Sequence, residues 1–249
     1  MRLRVVAFLL GLSTTAGAQE DENRSGNFEY GVEVDVTSRY LFRGVAFSQE
    51  PVSQITASAA FSGVAFYAWG NVLLQREPQQ HDFNELDFGA SYAYSLGNVT
   101  LEPAFDAYVF RVPAPRKAIH TTEGSFKVSY ALGPASAFTR QTFDLSGNRG
   151  AYYAEAGFSF DHAPSRRLSV SSALTFAWAS SRFNAGHIGV DEGGWNHVGV
   201  EVSLTYSPDE RLYIKPHFEL TSLAGSALRR YSDEPTVSSF GLAIGFFRD

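Results

Sequence analysis

The stretch Phe28-Glu29-Tyr30-Gly31-Val32-Glu33-Val34-Asp35-Val36-Thr37-Ser38-Arg39-Tyr40-Leu41-Phe42-Arg43 alternates along most of its length. Phe28, Tyr30, Val32, Val34, Val36, Tyr40 and Phe42 fall on one parity, and Glu29, Glu33, Asp35, Thr37, Arg39 and Arg43 on the other. Successive side chains of a strand point to opposite faces, so this period of two makes one apolar face and one ionic face. The split recurs where Leu86, Phe88, Ala90, Tyr92 and Tyr94 oppose Glu85, Asp87, Gly89 and Ser91. It recurs again where Val198, Val200, Val202, Leu204 and Tyr206 oppose His197, Gly199, Glu201, Ser203 and Thr205. The closing segment sets Phe240, Leu242, Ile244 and Phe246 against Ser239, Gly241, Ala243 and Gly245. Almost nothing from Phe28 onward fits a 3.6-residue period.

The alternating runs number about twelve, each near the ~9–11 residues that a tilted strand needs to cross a bilayer. They are expected at 28–43, 53–61, 63–74, 83–96, 98–110, 121–132, 135–144, 151–161, 167–179, 195–206, 211–223 and 236–247. Connections after even-numbered strands are tight: 62–63, 97–98, 133–134, 161–166 and 207–210. Those after odd-numbered strands are mostly longer and polar: 44–52, 75–82, 111–120, 145–150, 180–194 and 224–235. Loops that alternate in length around an even strand count are the plan of a transmembrane antiparallel β-barrel with up-and-down topology, an all-β fold. The apolar parity then faces lipid and the polar parity faces the lumen, and closure pairs every backbone group inside the bilayer. Pro103 and Pro216 fall inside strands, where each removes a ladder donor, so a bulge or local break is expected at both. The second and third strands, 53–74, alternate too poorly for their inward face to be assigned.

Composition agrees and excludes rivals. The 249 residues include 21 Phe, 12 Tyr, three Trp and no Cys, and 18% are charged. A chain without Cys has no zinc ribbon, thiol nucleophile or disulfide framework, and aromatics this frequent are the opposite of a disorder signature. Residues 1–18 read as an export signal: Arg2 and Arg4, an apolar run 5–12, then Ala16-Gly17-Ala18 before Gln19. Residues 19–249 then form the barrel domain. Without the two Arg of the signal, 18 basic residues face 26 acidic ones, a balance of −8 that gives no support to nucleic-acid binding.

Ser38-Arg39-Tyr40-Leu41-Phe42-Arg43-Gly44, followed by Ser48, Gln49 and Pro51, resembles the opening motif of the TorF-type porins of Gram-negative outer membranes. Weaker likeness continues through Phe66-Tyr67-Ala68-Trp69, Glu85-Leu86-Asp87, 108–113 and Tyr152-Tyr153-Ala154-Glu155-Ala156-Gly157. The motif residues are Ser38, Tyr40, Phe42, Arg43 and Gly44; position 39 is often acidic in that pattern, and Arg39 departs from it. The resemblance implies an outer-membrane channel, with no established solute.

By parity the lumen is lined by Glu33, Asp35, Glu85, Asp87, Glu102, Asp106, Glu155, Glu201 and Glu219, facing Arg39, Arg43, Lys127, Arg140, Lys215 and His217. A net acidic wall would favour cations or basic solutes in a narrow pore. The same charges could instead pair across the lumen and close it, because unpaired charges beside a low-dielectric wall are costly. Arg39 and Arg43 could form a constriction for an anionic group or simply pair with neighbouring acids. The six His show no ligand spacing; His197 and His217 face inward with Glu201 and Glu219 near them, and a polar lining role is the simpler reading. No G-x-S-x-G elbow or phosphate loop occurs, so no catalytic residue, metal or cofactor is expected. Tyr40, Phe42, Tyr92, Tyr94, Trp178, Tyr206 and Phe246 are candidates for interfacial girdles. The chain ends Phe246-Phe247-Arg248-Asp249, two charges beyond the terminal aromatic that barrel-insertion machinery usually reads. The expected partners are outer-membrane lipid, small hydrophilic solutes and that machinery. The rival readings are a non-conducting barrel whose long loops bind a surface partner or serve structure, and an outer-membrane lipid hydrolase.

Overall fold

A computed structural model describes residues 28–75, 83–110 and 119–248. The expected export signal at 1–18 lies outside the described residues, as does most of the loops expected at 75–82 and 111–120. Strands β1 (Phe28–Thr37), β4 (Val52–Phe61), β5 (Val64–Leu73), β6 (Phe83–Tyr92) and β8 (Val99–Phe110) make one half of the wall. Strands β9 (Ile119–Leu132), β10 (Ala135–Asp144), β11 (Tyr152–Ser165), β12 (Leu168–Ala179), β13 (Gly194–Tyr206), β14 (Leu212–Leu223) and β15 (Thr236–Arg248) make the other. Short β7 (Tyr94–Leu96) continues β6 past Ala93, so the wall has twelve staves.

Every neighbouring pair is antiparallel, and the ring closes by pairing the first stave with the last, Tyr30 opposite Arg248 through Thr37 opposite Gly241. Closure leaves no free sheet edge. The tight connections expected from sequence gather at one end. At the first of them, Ser62 and Gly63 have φ of 50° and 81°, the left-handed pair that a two-residue hairpin of primed type requires.

The outer face is apolar. Val32, Val34 and Val36 on β1 are 46%, 42% and 46% exposed, and Phe66, Phe158 and Ile244 exceed half. Soluble monomers rarely leave contiguous apolar surface beyond a few hundred Å² open to water. Tyr92, Tyr94, Trp178, Tyr206 and Phe246 are on this face. Tyr40 and Phe42 are not: Tyr40 is 6% exposed and lies inside the barrel.

The strands begin and end close to expectation, with four corrections. The first strand ends at Thr37 rather than continuing to 43, because the chain turns inward. The expected 83–96 strand is broken at Ala93. The connection expected at 161–166 is shorter, since β11 runs on to Ser165 across an irregularity between His162 and Ser165. Two long loops contain short helices, α1 (Ser181–His187) and α2 (Ser226–Tyr231). The prolines break the ladder on one side only. Pro103 keeps its place opposite Phe126, while the ladder on its other side skips from Ser91–Ala104 to Tyr94–Leu101. Pro216 stays opposite Leu242, and on the β13 side pairing skips from Ser203–His217 to Tyr206–Ile214 without a change of register.

Three inward glycines shape the lumen. Gly89, Gly241 and Gly245 each stand directly across the ladder from an aromatic residue: Tyr67, His217 and Tyr213. A Cβ on any of them would come within 2.0–2.1 Å of that ring. The rings therefore lie flat on the wall where a side chain would otherwise be, an arrangement known from sheets in which an aromatic covers a cross-strand glycine.

Candidate functional site

After Thr37 the chain is drawn inward by a polar clasp to the last stave. Thr37 Oγ1 and Ser239 Oγ are 2.5 Å apart, Ser239 Oγ donates to the Arg39 carbonyl at 2.9 Å, and the Phe240 amide donates to Ser38 Oγ at 3.0 Å. Beyond it, β2 (Tyr40–Phe42) and β3 (Val45–Ser48) form a small hairpin separate from the wall. Its two-residue tip is Arg43 and Gly44, with φ of 47° and 91°. A Cβ on Gly44 would meet the His197 ring at 2.8 Å, so both backbone conformation and space require glycine there.

Arg43 is the hairpin's anchor. Its two terminal nitrogens donate to the two oxygens of Glu123 on β9 at 2.8 and 2.5 Å. The guanidinium carbon lies 4.7 Å from the ring centres of Phe42 and Tyr153 and 5.5 Å from that of Phe183. The pair's side chains are 13% and 7% exposed. Tyr108 donates to the same carboxylate at 3.1 Å. Burial works against the charge on Arg43, yet the adjoining Glu123 carboxylate outweighs it and holds the guanidinium pKa above its ordinary value.

Helix α1 packs against the hairpin from the far side. Ser180 caps it by accepting from the Phe183 amide at 3.2 Å. Asn196 Nδ2 on β13 donates to Asn184 Oδ1 at 2.8 Å, and both residues are buried. Phe183 packs on Tyr153 with ring centres 5.0 Å apart and planes tilted by 30°, and His187 sits 5.5 Å from Phe42 and 5.1 Å from Phe47. Burial, with Arg43 nearby, pushes the His187 pKa down to about 3, so the ring is neutral at ordinary pH. On the opposite side Tyr40 packs on Trp69 at 5.4 Å and shares a buried cluster with Val52. Hairpin and helix together occupy the long-loop end of the lumen.

Below the hairpin is a cavity of about 130 Å³, lined by residues of β1, β4, β5, β6, β12, β13 and β14. Glu33, Asp35, Asp87, Glu201, Lys215, His217 and Glu219, all expected in the lumen from parity, line it. Gln54, Thr56 and Trp69 line it too, which supplies the inward face of the second and third staves. Glu33 accepts from Lys215 Nζ and Tyr213 at 2.7 Å each. His217 Nε2 lies 2.9 Å from Asp35 Oδ2.

The other expected lumen residues are distributed around this space. Asp106 accepts from Tyr67 at 2.6 Å, and Glu85 is buried further along the neighbouring stave, opposite Phe110. Glu102, Lys127, Arg140 and Glu155 are successive register partners across β8, β9, β10 and β11, a belt in which two acids flank two bases. Arg39 is at the rim, where it donates to Glu234 at 2.8 Å on the half-exposed loop that holds α2. Arg39 and Arg43 thus do not share a wall, and each has a carboxylate partner. The motif residues Ser38, Tyr40, Phe42, Arg43 and Gly44 build the clasp and the hairpin. Among the described residues no group of three His, Asp or Glu is placed to hold a metal ion.

Parity had placed Lys127 inward without singling out Glu123 four residues earlier on the same face. Tyr108 and Tyr153 share the inward parity of Asp106 and Glu155 but carry no charge to mark them, and Phe183 and His187 lie in a long connection, where a strand's parity does not reach.

No family profile matches the sequence, and no curated protein matches it. Solved structures do resemble it in fold. The KdgM porin aligns over 88% of this chain and 98% of its own at 12% identity, with a TM-score of 0.52. The NanC porin, in a rhombohedral crystal form, aligns over 86% and 98% at 13% identity, with a TM-score of 0.56. The chain therefore has a porin-like barrel of twelve antiparallel staves, with a hairpin and a helix folded into one end.

Proposed function

We propose that the protein is an outer-membrane channel of restricted bore that passes small hydrophilic solutes passively and favours cations. The observation that carries this reading is the pairing of an apolar outer wall with a polar cavity under a hairpin separate from that wall. Lipid covers the outer face, and backbone closure satisfies the ladder inside it. The short turns then face the periplasm and the hairpin the cell exterior, in keeping with the loop lengths of such barrels. The N-terminal export signature supports this location, with barrel-insertion machinery and outer-membrane lipid as partners. The hairpin motif supports membership of the TorF-type porins. Selectivity comes from bore and from the sign of the wall charge, and the cavity's five carboxylates outnumber its one Lys and one His.

Purified protein in planar bilayers tests this. Small unitary steps are expected, with a reversal potential in a salt gradient that favours the cation. Folded barrels without unitary steps would overturn the channel reading. That outcome would favour a non-conducting, surface-binding barrel, the reading supported by the closely packed hairpin and α1.

A further inference from the structure

Five carboxylates line the cavity beneath the hairpin: Glu33, Asp35, Asp87, Glu201 and Glu219. Two are matched within it, Glu33 by Lys215 and Asp35 by His217. For Asp87, Glu201 and Glu219 there is no ion pair among the described residues. Asp87 is 1% exposed, and its Oδ1 has no hydrogen-bond partner; the same is true of Glu201 Oε2. Glu201 and Glu219 are direct register partners across β13 and β14, so two carboxylates stand side by side on one patch of wall. Like charges placed directly opposite on a sheet repel. Buried polar atoms are nearly always partnered, and acceptors left bare mark a missing donor.

The chemistry of the gap narrows what fills it. The unmatched atoms of Asp87 and Glu201 are carboxylate oxygens, so the gap takes a group that donates hydrogen bonds, and a cationic donor suits these acids in their ionised form. The absence of a metal-holding cluster among the described residues directs this to an organic cation. The roof is made by Tyr40, Phe42 and Trp69, and aromatic faces attract ammonium groups and cover alkyl chains. A space of about 130 Å³ is close to the roughly 150 Å³ of an engineered cavity that admits benzene. That scale fits a molecule of about six heavy atoms and excludes a disaccharide or peptide.

We propose that this cavity binds small organic ammonium ions, short linear diamines above all, with one ammonium held by the Glu201–Glu219 pair. The proposal deepens the channel reading and rests on it for the route by which the solute arrives. It makes the solute class basic and aliphatic, and it gives the excess lumenal acid a specific task.

Isothermal titration of the detergent-folded protein tests it, using 1,4-diaminobutane, 1-aminobutane and 1,4-butanediol as probes, alongside bilayer conductance on the same preparation. Saturable binding of the diamine is expected, weaker binding of the monoamine and none of the diol. Glu201→Gln with Glu219→Gln is expected to weaken the diamine tenfold or more, and Asp87→Asn, on a separate stave, to weaken it independently. Diamine heats no different from those of the diol would overturn the proposal, as expected if the acid pair were neutralised by a shared proton. Binding unchanged in both variants would overturn it as well. A conducting barrel that binds no diamine refutes this inference alone, and a silent barrel that binds it refutes the channel reading alone.

Discussion

Replacing Arg43 by Met removes the guanidinium while keeping an unbranched stem of similar length. Glu123 is then left 7% exposed without its bidentate partner. Stranding one member of a buried ion pair costs about 3–5 kcal/mol. The staves are held by their own ladders and do not depend on this pair, so the penalty falls on docking of the hairpin. At about 1.36 kcal/mol per factor of ten, 3 kcal/mol raises the undocked fraction roughly 150-fold. A hairpin undocked for about 1% of the time would then be undocked for about 60% of it. Arg43→Met should show larger unitary conductance with frequent transitions between levels, and faster amide exchange across residues 40–48. Heat-modifiable gel mobility, which reports the closed barrel, should not change. Adding Glu123→Gln removes the stranded charge and should restore part of the docking, giving a positive coupling in the double-mutant cycle. A single-variant conductance histogram and exchange pattern identical to those of the parent protein would refute the reasoning.

Gly44→Ala should undock the same hairpin by a different route, since its Cβ meets the His197 ring at 2.8 Å and its φ is +91°; exchange at 40–48 is the readout. For His187 the sign follows from the lowered pKa. The unfolded or undocked ring takes a proton near pH 6.5, while the docked ring resists it down to about 3, so docking is strongest above pH 6.5 and weakens as pH falls towards 3. The ceiling is about 1.4 kcal/mol per pH unit, reduced by water screening of the half-buried ring. Conductance should therefore rise on acidification in the parent protein and less so in His187→Phe. Gly241→Val places a Cβ about where the His217 ring lies, 2.1 Å from Nε2, and should push that ring off Asp35 into the cavity. Overpacking of this kind costs about 1–3 kcal/mol and should lower conductance, measured in bilayers.

Most staves were legible because two independent signals agree: the period of two, and the ordering of short and long connections. The hairpin was not, for a physical reason. Tyr40 and Phe42 continue the parity of Val32, Val34 and Val36, and an alternating aromatic run suits a lipid-facing strand as well as a lumenal hairpin. The signal that could have separated them is Arg43-Gly44, a two-residue turn with glycine second between alternating apolar residues. Inward acids were legible from parity, but their partners were not. Register decides that Lys215 rather than Arg39 answers Glu33, and only closure sets His217 beside Asp35. Helix α1 escaped because seven residues are too few for a helical period to be visible, and packing on the hairpin rather than propensity holds it.

The hairpin's position in the chain bears on how the molecule assembles. It follows directly after the first stave, yet its anchors are on β9, β11 and β13, with Arg43 and Glu123 separated by 80 residues. None of these anchors is in place until the later staves have curled round to meet β1. Contacts that close such long loops form late, because chain entropy must be given up before they return anything. The clasp that turns the hairpin inward also uses Ser239 and Phe240, residues of the final stave. Before closure the hairpin has only the contacts of Tyr40 with Val52 and Trp69 open to it, so its anchored seat follows the sealing of the wall, and the inward fold of the chain is the last part of the molecule to be fixed.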